Sequence, residues 1–124
     1  MTNTQNPISK RREFDLHKRI FSFVVRVLRL LKVLPKIPQN IVFINQISRS
    51  VTSIGANSQE ADGSLSVKEF VRSMTIARKE TKETNYWLKI IFETNSRLQE
   101  RMNPLIQEGH EIEAIISSII LKLK

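Results

Sequence analysis

The sequence contains no cysteine, and it has only three glycines and four prolines among its 124 residues. Without cysteine, neither a disulfide nor a thiolate metal site can form. So few glycines and prolines imply few turns and long elements, which favours helices over a many-stranded sheet.

Segments that target or anchor a chain are also missing. No apolar segment precedes the basic cluster at residues 10–12, so we expect no secretory signal. A membrane span needs about 20 mostly apolar residues. The most apolar stretch, residues 20–34, is interrupted by Arg26, Arg29 and Lys32. These observations predict a cytoplasmic protein that does not cross a membrane.

Motifs that carry catalysis are absent as well. Di-iron bundles need Glu-x-x-His on two helices, and the sequence has no such motif. Its two histidines, His17 and His110, lie near opposite ends of the chain. There is neither a phosphate-binding P-loop nor a Gly-x-Gly-x-x-Gly motif. We therefore expect a protein that binds rather than catalyses, with no catalytic residue, metal or cofactor.

Apolar residues recur at alternating steps of three and four, as in the core-facing stripe of a helix. This spacing predicts four helices in one domain of residues 14–124, preceded by a flexible basic tail over residues 1–13. Short connections make neighbouring helices antiparallel, so the predicted fold is an all-α, up-down-up-down four-helix bundle. The predicted seams contain Leu16, Ile20, Phe23, Val27, Leu30 and Leu34, then Ile47, Val51 and Ile54, then Met74, Ala77, Leu88 and Ile91, and finally Ile112, Ile116, Ile119 and Leu123.

Capping residues predict where these helices begin and end. The first helix should run from about Asp15 to Leu34, where Pro35 and Pro38 stop it. Ser66 and Glu69 form a capping box at the start of the third helix. Three further signals are Asn40 as N-cap of the second helix, Gly63 as its left-handed end, and Asn103 with Pro104 at the start of the fourth.

Twenty lysines and arginines outnumber twelve acidic residues, which gives a net charge of +8. The excess lies in residues 1–40 and 63–102, which implies a basic face suited to polyanions. On the third helix, helical spacing places five cations and a tyrosine on one outer stripe with a single acid, Glu93. A face built on salt bridges would alternate in sign instead. The candidate nucleic-acid-binding residues are Lys68, Arg72, Lys79, Lys82, Tyr86 and Lys89 on the third helix and Lys18, Arg26 and Arg29 on the first.

The second helix carries a polar stripe beside its apolar face. We interpret it as a semi-buried network that fixes helix register or builds a subunit interface, since buried polar groups must be paired. A ligand or partner contact is the alternative. Glu80 or Glu83 of the third helix would pair with Arg49. The candidate network residues are Arg49, Ser53, Asn57, Glu60 and Glu83.

Several segments together resemble the four-helix-bundle proteins encoded in 23S rRNA intervening sequences. The same fold includes the accessory variability proteins of diversity-generating retroelements. The resemblance spans nearly the whole chain from Phe14 onward. Two departures concern Gly55, where the family often has proline, and residues 79–80, where it often has small side chains. The resemblance rests on residues 46–57 (QISRSVTSIGAN), Glu60, 67–70 (VKEF), 76–78 (IAR), Glu83 and Leu88.

The resemblance implies a homopentamer of antiparallel bundles without catalytic residues. It also implies nucleic-acid binding, and reverse-transcriptase binding in the retroelement branch. Three interpretations stay open at this point: an oligomeric RNA-binding bundle, which we favour, an accessory protein that docks on a reverse transcriptase, and a purely structural or interaction oligomer.

Overall fold

The structure, a computed structural model, describes residues 7–124, with side chains from Leu16 onward. Four α-helices and one short 3₁₀ turn make up this part of the chain, which contains no strand. The helices are α1 (Pro7–Val33), α2 (Pro38–Asp62), α3 (Val67–Thr94) and α4 (Gln99–Leu123), and the 3₁₀ turn, Ser96–Leu98, leads into α4.

Each helix packs against its sequence neighbours, and α1 closes the bundle against α4. The α2–α3 pairing is the most extensive, and the α1–α4 pairing is the least. Connections of a few residues reverse the chain between successive helices, so neighbours are antiparallel. The predicted all-α, up-down-up-down four-helix bundle is confirmed.

The core follows the predicted seams closely. The six predicted seam residues of the first helix are buried, from Leu16 to Leu30 within α1 and Leu34 just after its end, and so are the central seam residues of α2 and α3. The seam prediction fails at the end of α4, where Ile120 is buried and Leu123 is 39% exposed. In a run as apolar as residues 115–121, the spacing of apolar residues does not determine which of two neighbouring apolar positions is buried.

The first helix begins at Pro7 and not near Asp15. Proline suits the first helical position because its missing N–H has no helical partner there, and the lysine and arginines that follow are good helix formers. Residues 1–6 of the predicted tail lie outside the described residues, as do the side chains of residues 7–13. Flexibility of the tail remains a prediction.

The predicted start of α2 is wrong, because Pro38 begins this helix at its first turn and Ile37 is its N-cap. Asn40 is fully buried inside the helix. Its side-chain Nδ2 donates to the carbonyl of Pro35 at 2.9 Å and to Oδ1 of Asn95 at 3.0 Å. Asn40 therefore ties the α1–α2 connection to the end of α3.

The predicted start of α4 is also wrong. The helix begins at Gln99, so Pro104 lies inside it and Asn103 is not its N-cap. Met102 and Leu105 are buried, and their packing holds this turn helical although Pro104 donates no backbone hydrogen bond. The core thus extends α4 beyond the local stop signal.

The α2–α3 turn combines one correct and one wrong prediction. Ser66 caps α3 by accepting from the backbone N–H of Glu69 at 3.1 Å, as predicted. Gly63 has φ −92°, so it does not end α2 in the left-handed conformation. The hydroxyl of Ser64 instead donates to the carbonyl of Ala61 at 2.7 Å and satisfies the end of the helix.

Candidate nucleic-acid interface

The outer face of α3 carries a continuous row of cations, the basic stripe. Its five cations are all exposed, and Tyr86 is 59% exposed among them. No cation of this stripe forms a hydrogen bond or salt bridge with another described residue. At 1.5 Å rise per residue, the stripe is about 30 Å long. Its cations are Lys68, Arg72, Lys79, Lys82 and Lys89.

Two acids of α3, Glu80 and Glu83, pair with Arg49 of α2, and Glu93 is the acid that lies on the stripe itself. Arg49 of α2 donates to Oε1 of Glu80 at 3.3 Å and forms a second ion pair with Glu83. The hydrogen bond from Arg49 is the main cause that lowers the pKa of Glu83 below its usual value. The charge of Glu83 is therefore stabilised mainly by Arg49 of α2, with a smaller electrostatic contribution from Lys79 of the stripe.

The predicted polar network of α2 divides into separate parts. Arg49 and Glu83 belong to the ion-pair cluster with Glu80. Asn57 is half-buried and donates along its own helix to the carbonyl of Ser53 at 2.9 Å and to its hydroxyl at 3.3 Å. Glu60 is exposed and makes no hydrogen bond to another described residue. The five residues share a face of the bundle without forming one network.

An aromatic row continues from the ion-pair cluster to the basic stripe. Trp87 donates its indole N–H to Oε2 of Glu83 at 3.2 Å. Its ring lies 5.9 Å from that of Phe43 and 5.3 Å, edge to face, from that of Tyr86. The cluster around Arg49 thereby fixes Trp87, and Trp87 in turn supports the exposed ring of Tyr86.

Two of the candidate cations of α1 lie beside an arginine of α4. Arg26 and Arg29, both exposed, line a cleft of about 170 Å³ together with Arg101. Leu30 and Leu105 complete its lining. None of the three guanidinium groups pairs with a carboxylate in the part of the chain that the structure describes. Lys18, the remaining candidate on α1, is exposed nearer the start of the helix.

A larger groove of about 550 Å³ lies between α3 and α4. Lys82, Tyr86 and Lys89 of the basic stripe form one side of it. Phe92 and Ile106 are half-buried against the core and give the groove an apolar floor. Its volume is within the roughly 300–1,000 Å³ of typical small-ligand clefts.

Polar side chains surround this apolar floor. Asn85 donates to the carbonyl of Gly109 at 3.1 Å and to Oε1 of Glu113 at 3.1 Å. Asn103 and His110 are exposed on the α4 side, and Glu93 completes the lining. The groove therefore offers an aromatic face, cations, and both hydrogen-bond donors and acceptors.

Sequence reasoning missed Arg101 and the α4 side of the groove. Arg101 lies far from Arg26 and Arg29 in the chain, and only the antiparallel packing of α1 and α4 brings them together. His110 is exposed in the groove, and no periodic signal in the sequence links it to the α3 stripe. The contribution of α4 depends on helix rotation, which an apolar seam fixes only approximately.

Two absences hold for the described residues. Among them, no group of three or more histidine, aspartate or glutamate side chains is arranged to hold a metal ion. Within the same part of the chain, no helix has the length and apolar character required to cross a membrane.

Comparisons with known proteins agree on one family. The family model described as 23S rRNA-intervening sequence protein matches residues 12–118. A crystal structure of a protein with unknown function from the S23 ribosomal protein family of Bacteroides thetaiotaomicron VPI-5482 is similar, with 34% sequence identity and a TM-score of 0.78. The similarity covers 87% of this chain and 96% of that one. No curated protein matches the chain.

Proposed function

The chain belongs to the 23S rRNA-intervening sequence protein family, and from this premise we propose that it is a non-enzymatic, cytoplasmic bundle that binds RNA through the basic stripe of α3. The observation that supports the proposal is the row of five exposed cations that pair with no described carboxylate. Cations at fixed spacing on a rigid helix neutralise phosphates and release the counterions condensed on the nucleic acid.

The second contact in this proposal is the cleft of Arg26, Arg29 and Arg101. Guanidinium groups form paired hydrogen bonds with phosphate oxygens, so three of them around one small cleft suit a single backbone phosphate. The cleft and the groove lie on opposite sides of the first half of α4, since Arg101 and Leu105 line one while Asn103 and Ile106 line the other. We propose that one RNA strand contacts both.

A salt titration of RNA affinity tests the function. We compare wild type with a triple variant, Lys79→Gln, Lys82→Gln and Lys89→Gln, whose glutamines keep helix propensity. Each lost phosphate contact should reduce the slope of log affinity against log salt by about 0.7 on single strands or about 0.9 on a duplex. We expect weaker binding to every RNA sequence and a smaller slope.

A control variant removes two cations that lie elsewhere. Arg78→Gln together with Lys32→Gln removes charge from positions outside the stripe, the α3–α4 groove and the arginine cleft. This variant should leave the slope of log affinity against log salt nearly unchanged. If the folded triple variant binds RNA like wild type, the stripe does not contact RNA. Binding of a protein such as a reverse transcriptase, without RNA, would replace this proposal with the accessory-protein interpretation.

We propose in addition that the bundle assembles into a homopentamer. Several large apolar side chains are exposed around the α1–α2 connection, among them Val33, Ile37 and Ile41 at 43–44% and Val42 at 52%. Clustered apolar exposure of this kind marks interaction surfaces. A closed ring would repeat the basic stripe and would strengthen weak single contacts through multivalency.

A further inference from the structure

We infer that the groove between α3 and α4 binds one unpaired nucleobase, stacked on Tyr86, so that the protein prefers single-stranded to duplex RNA. This inference rests on the proposed function. It adds that the protein contacts a nucleobase as well as the phosphates. It also gives the groove a role in RNA binding that the basic stripe alone does not require.

The shape and polarity of the groove match a base better than a phosphate. A phosphate needs only charge and N–H donors, whereas this groove has an apolar floor formed by Phe92 and Ile106. Two acids, Glu93 and Glu113, also line it and would repel a phosphate placed inside. The same carboxylates can accept hydrogen bonds from the N–H groups at a base edge, as acidic side chains do in base recognition.

Tyr86 provides the stacking surface. Its ring is 59% exposed, yet the edge-to-face contact with Trp87 at 5.3 Å restricts its orientation. Trp87 is itself held by its hydrogen bond to Glu83 and by Phe43. A supported and exposed ring can stack on a base without first losing much rotational freedom.

The cations of the groove are placed for the phosphates on either side of such a base. Lys82 and Lys89 lie one helical turn before and after Tyr86 along the stripe, on the same face of α3. A base inserted beside Tyr86 would leave its flanking phosphates near these two ammonium groups. A paired base in a duplex has its edge engaged and both faces covered, so it cannot enter.

Binding of a fluorescently labelled single-stranded RNA, and of a duplex with the same sequence, tests the inference across a salt series. Tyr86→Ala should weaken single-strand binding about 5- to 150-fold, as expected for one stacked base. The salt slope should not change, because stacking releases no counterions. Duplex affinity should stay at the wild-type value, and Tyr86→Phe should bind like wild type because it keeps the ring.

Two further variants make the result specific to the groove. Asn103→Trp places a bulky ring at an exposed position of the groove and leaves Tyr86 intact, so it should also weaken single-strand binding selectively. Lys68→Gln removes a stripe cation that does not line the groove, and it should reduce the slope for both RNAs alike. Circular dichroism confirms that each variant is folded.

The outcomes separate this inference from the proposed function. Wild-type single-strand affinity in folded Tyr86→Ala, or an equal loss for single strand and duplex, would overturn the nucleobase site and leave the phosphate contacts standing. If the wild-type protein binds neither RNA, the proposed function fails and the inference fails with it.

Discussion

Gly109 determines how closely α4 approaches α3. A Cβ atom at this position would lie 2.1 Å from Oδ1 of Asn85 and 3.2 Å from Cζ of the buried Phe23. Asn85 is held there by its hydrogen bonds to the Gly109 carbonyl and to Glu113. The sequence offered no signal for this contact, because a single glycine inside an apolar helical pattern does not reveal which neighbour it faces.

We predict that Gly109→Ala destabilises the fold by about 1–3 kcal/mol, as overpacking of a core does. Asn85 can move away only by giving up its two hydrogen bonds, and Phe23 is enclosed by the core. Urea denaturation measures the change. Gly63→Ala is the matched control, since its Cβ would meet only backbone oxygens at 3.9 Å, and it should be neutral or slightly stabilising. Equal stability of the two variants would contradict the close approach at Gly109.

At the level of the helices, the apolar seams were predictable and several ends were not. The apolar period and the observed burial agree because a bundle core selects apolar residues over many turns, as from Leu16 to Leu30 in α1. A helix end depends on one or two residues whose signals are ambiguous. Proline can stop one helix or start the next, as Pro38 does, and the burial of Met102 and Leu105 outweighs the local effect of Pro104.

The candidate site also has a part that was predictable from the sequence and a part that was not. Spacing alone placed the cations of the basic stripe on one exposed face, because every member lies on α3. The groove and the arginine cleft each need a second helix, and no spacing within one helix specifies which residues of α4 lie opposite. Arg101 and His110 therefore emerged only from the packed bundle.

Asn40 tests whether an apparent capping residue stabilises a tertiary contact. Its buried amide exchanges hydrogen bonds with the Asn95 side chain, at 3.0 Å in one direction and 3.2 Å in the other. We predict that Asn40→Ala costs about 1–3 kcal/mol, because it leaves the Asn95 amide and the Pro35 carbonyl without this partner.

Chemical denaturation of Asn40→Ala is compared with that of Asn103→Ala. Asn103 resembles an N-cap in sequence but is exposed inside α4, so its loss should change stability by less than about 0.5 kcal/mol. If Asn103→Ala were the more damaging change, α4 would begin at Asn103 after all, and the structural assignment of that turn would be wrong.

For the whole molecule, the proposed function would depend on how many basic stripes act together. One bundle presents one copy of the basic stripe and one copy of the α3–α4 groove, and each phosphate contact by itself is weak and sensitive to salt. A ring of bundles presents several stripes to the same RNA, so the effective affinity can rise without any new kind of contact. The proposed assembly and the proposed RNA binding would therefore be linked, and a variant that dissociates the ring should also bind RNA more weakly.

We expect light scattering of the 14.4 kDa chain to give about five times the monomer mass at micromolar concentration. Ile41→Glu should shift the mass towards the monomer without changing helicity, because Ile41 is 44% exposed near the α1–α2 connection. Leu121→Glu is the same kind of change at another exposed position, 77% exposed on α4, and it should keep the wild-type mass. A monomeric wild type would contradict the pentamer, whereas an oligomer disrupted only by Leu121→Glu would move the interface to the end of α4.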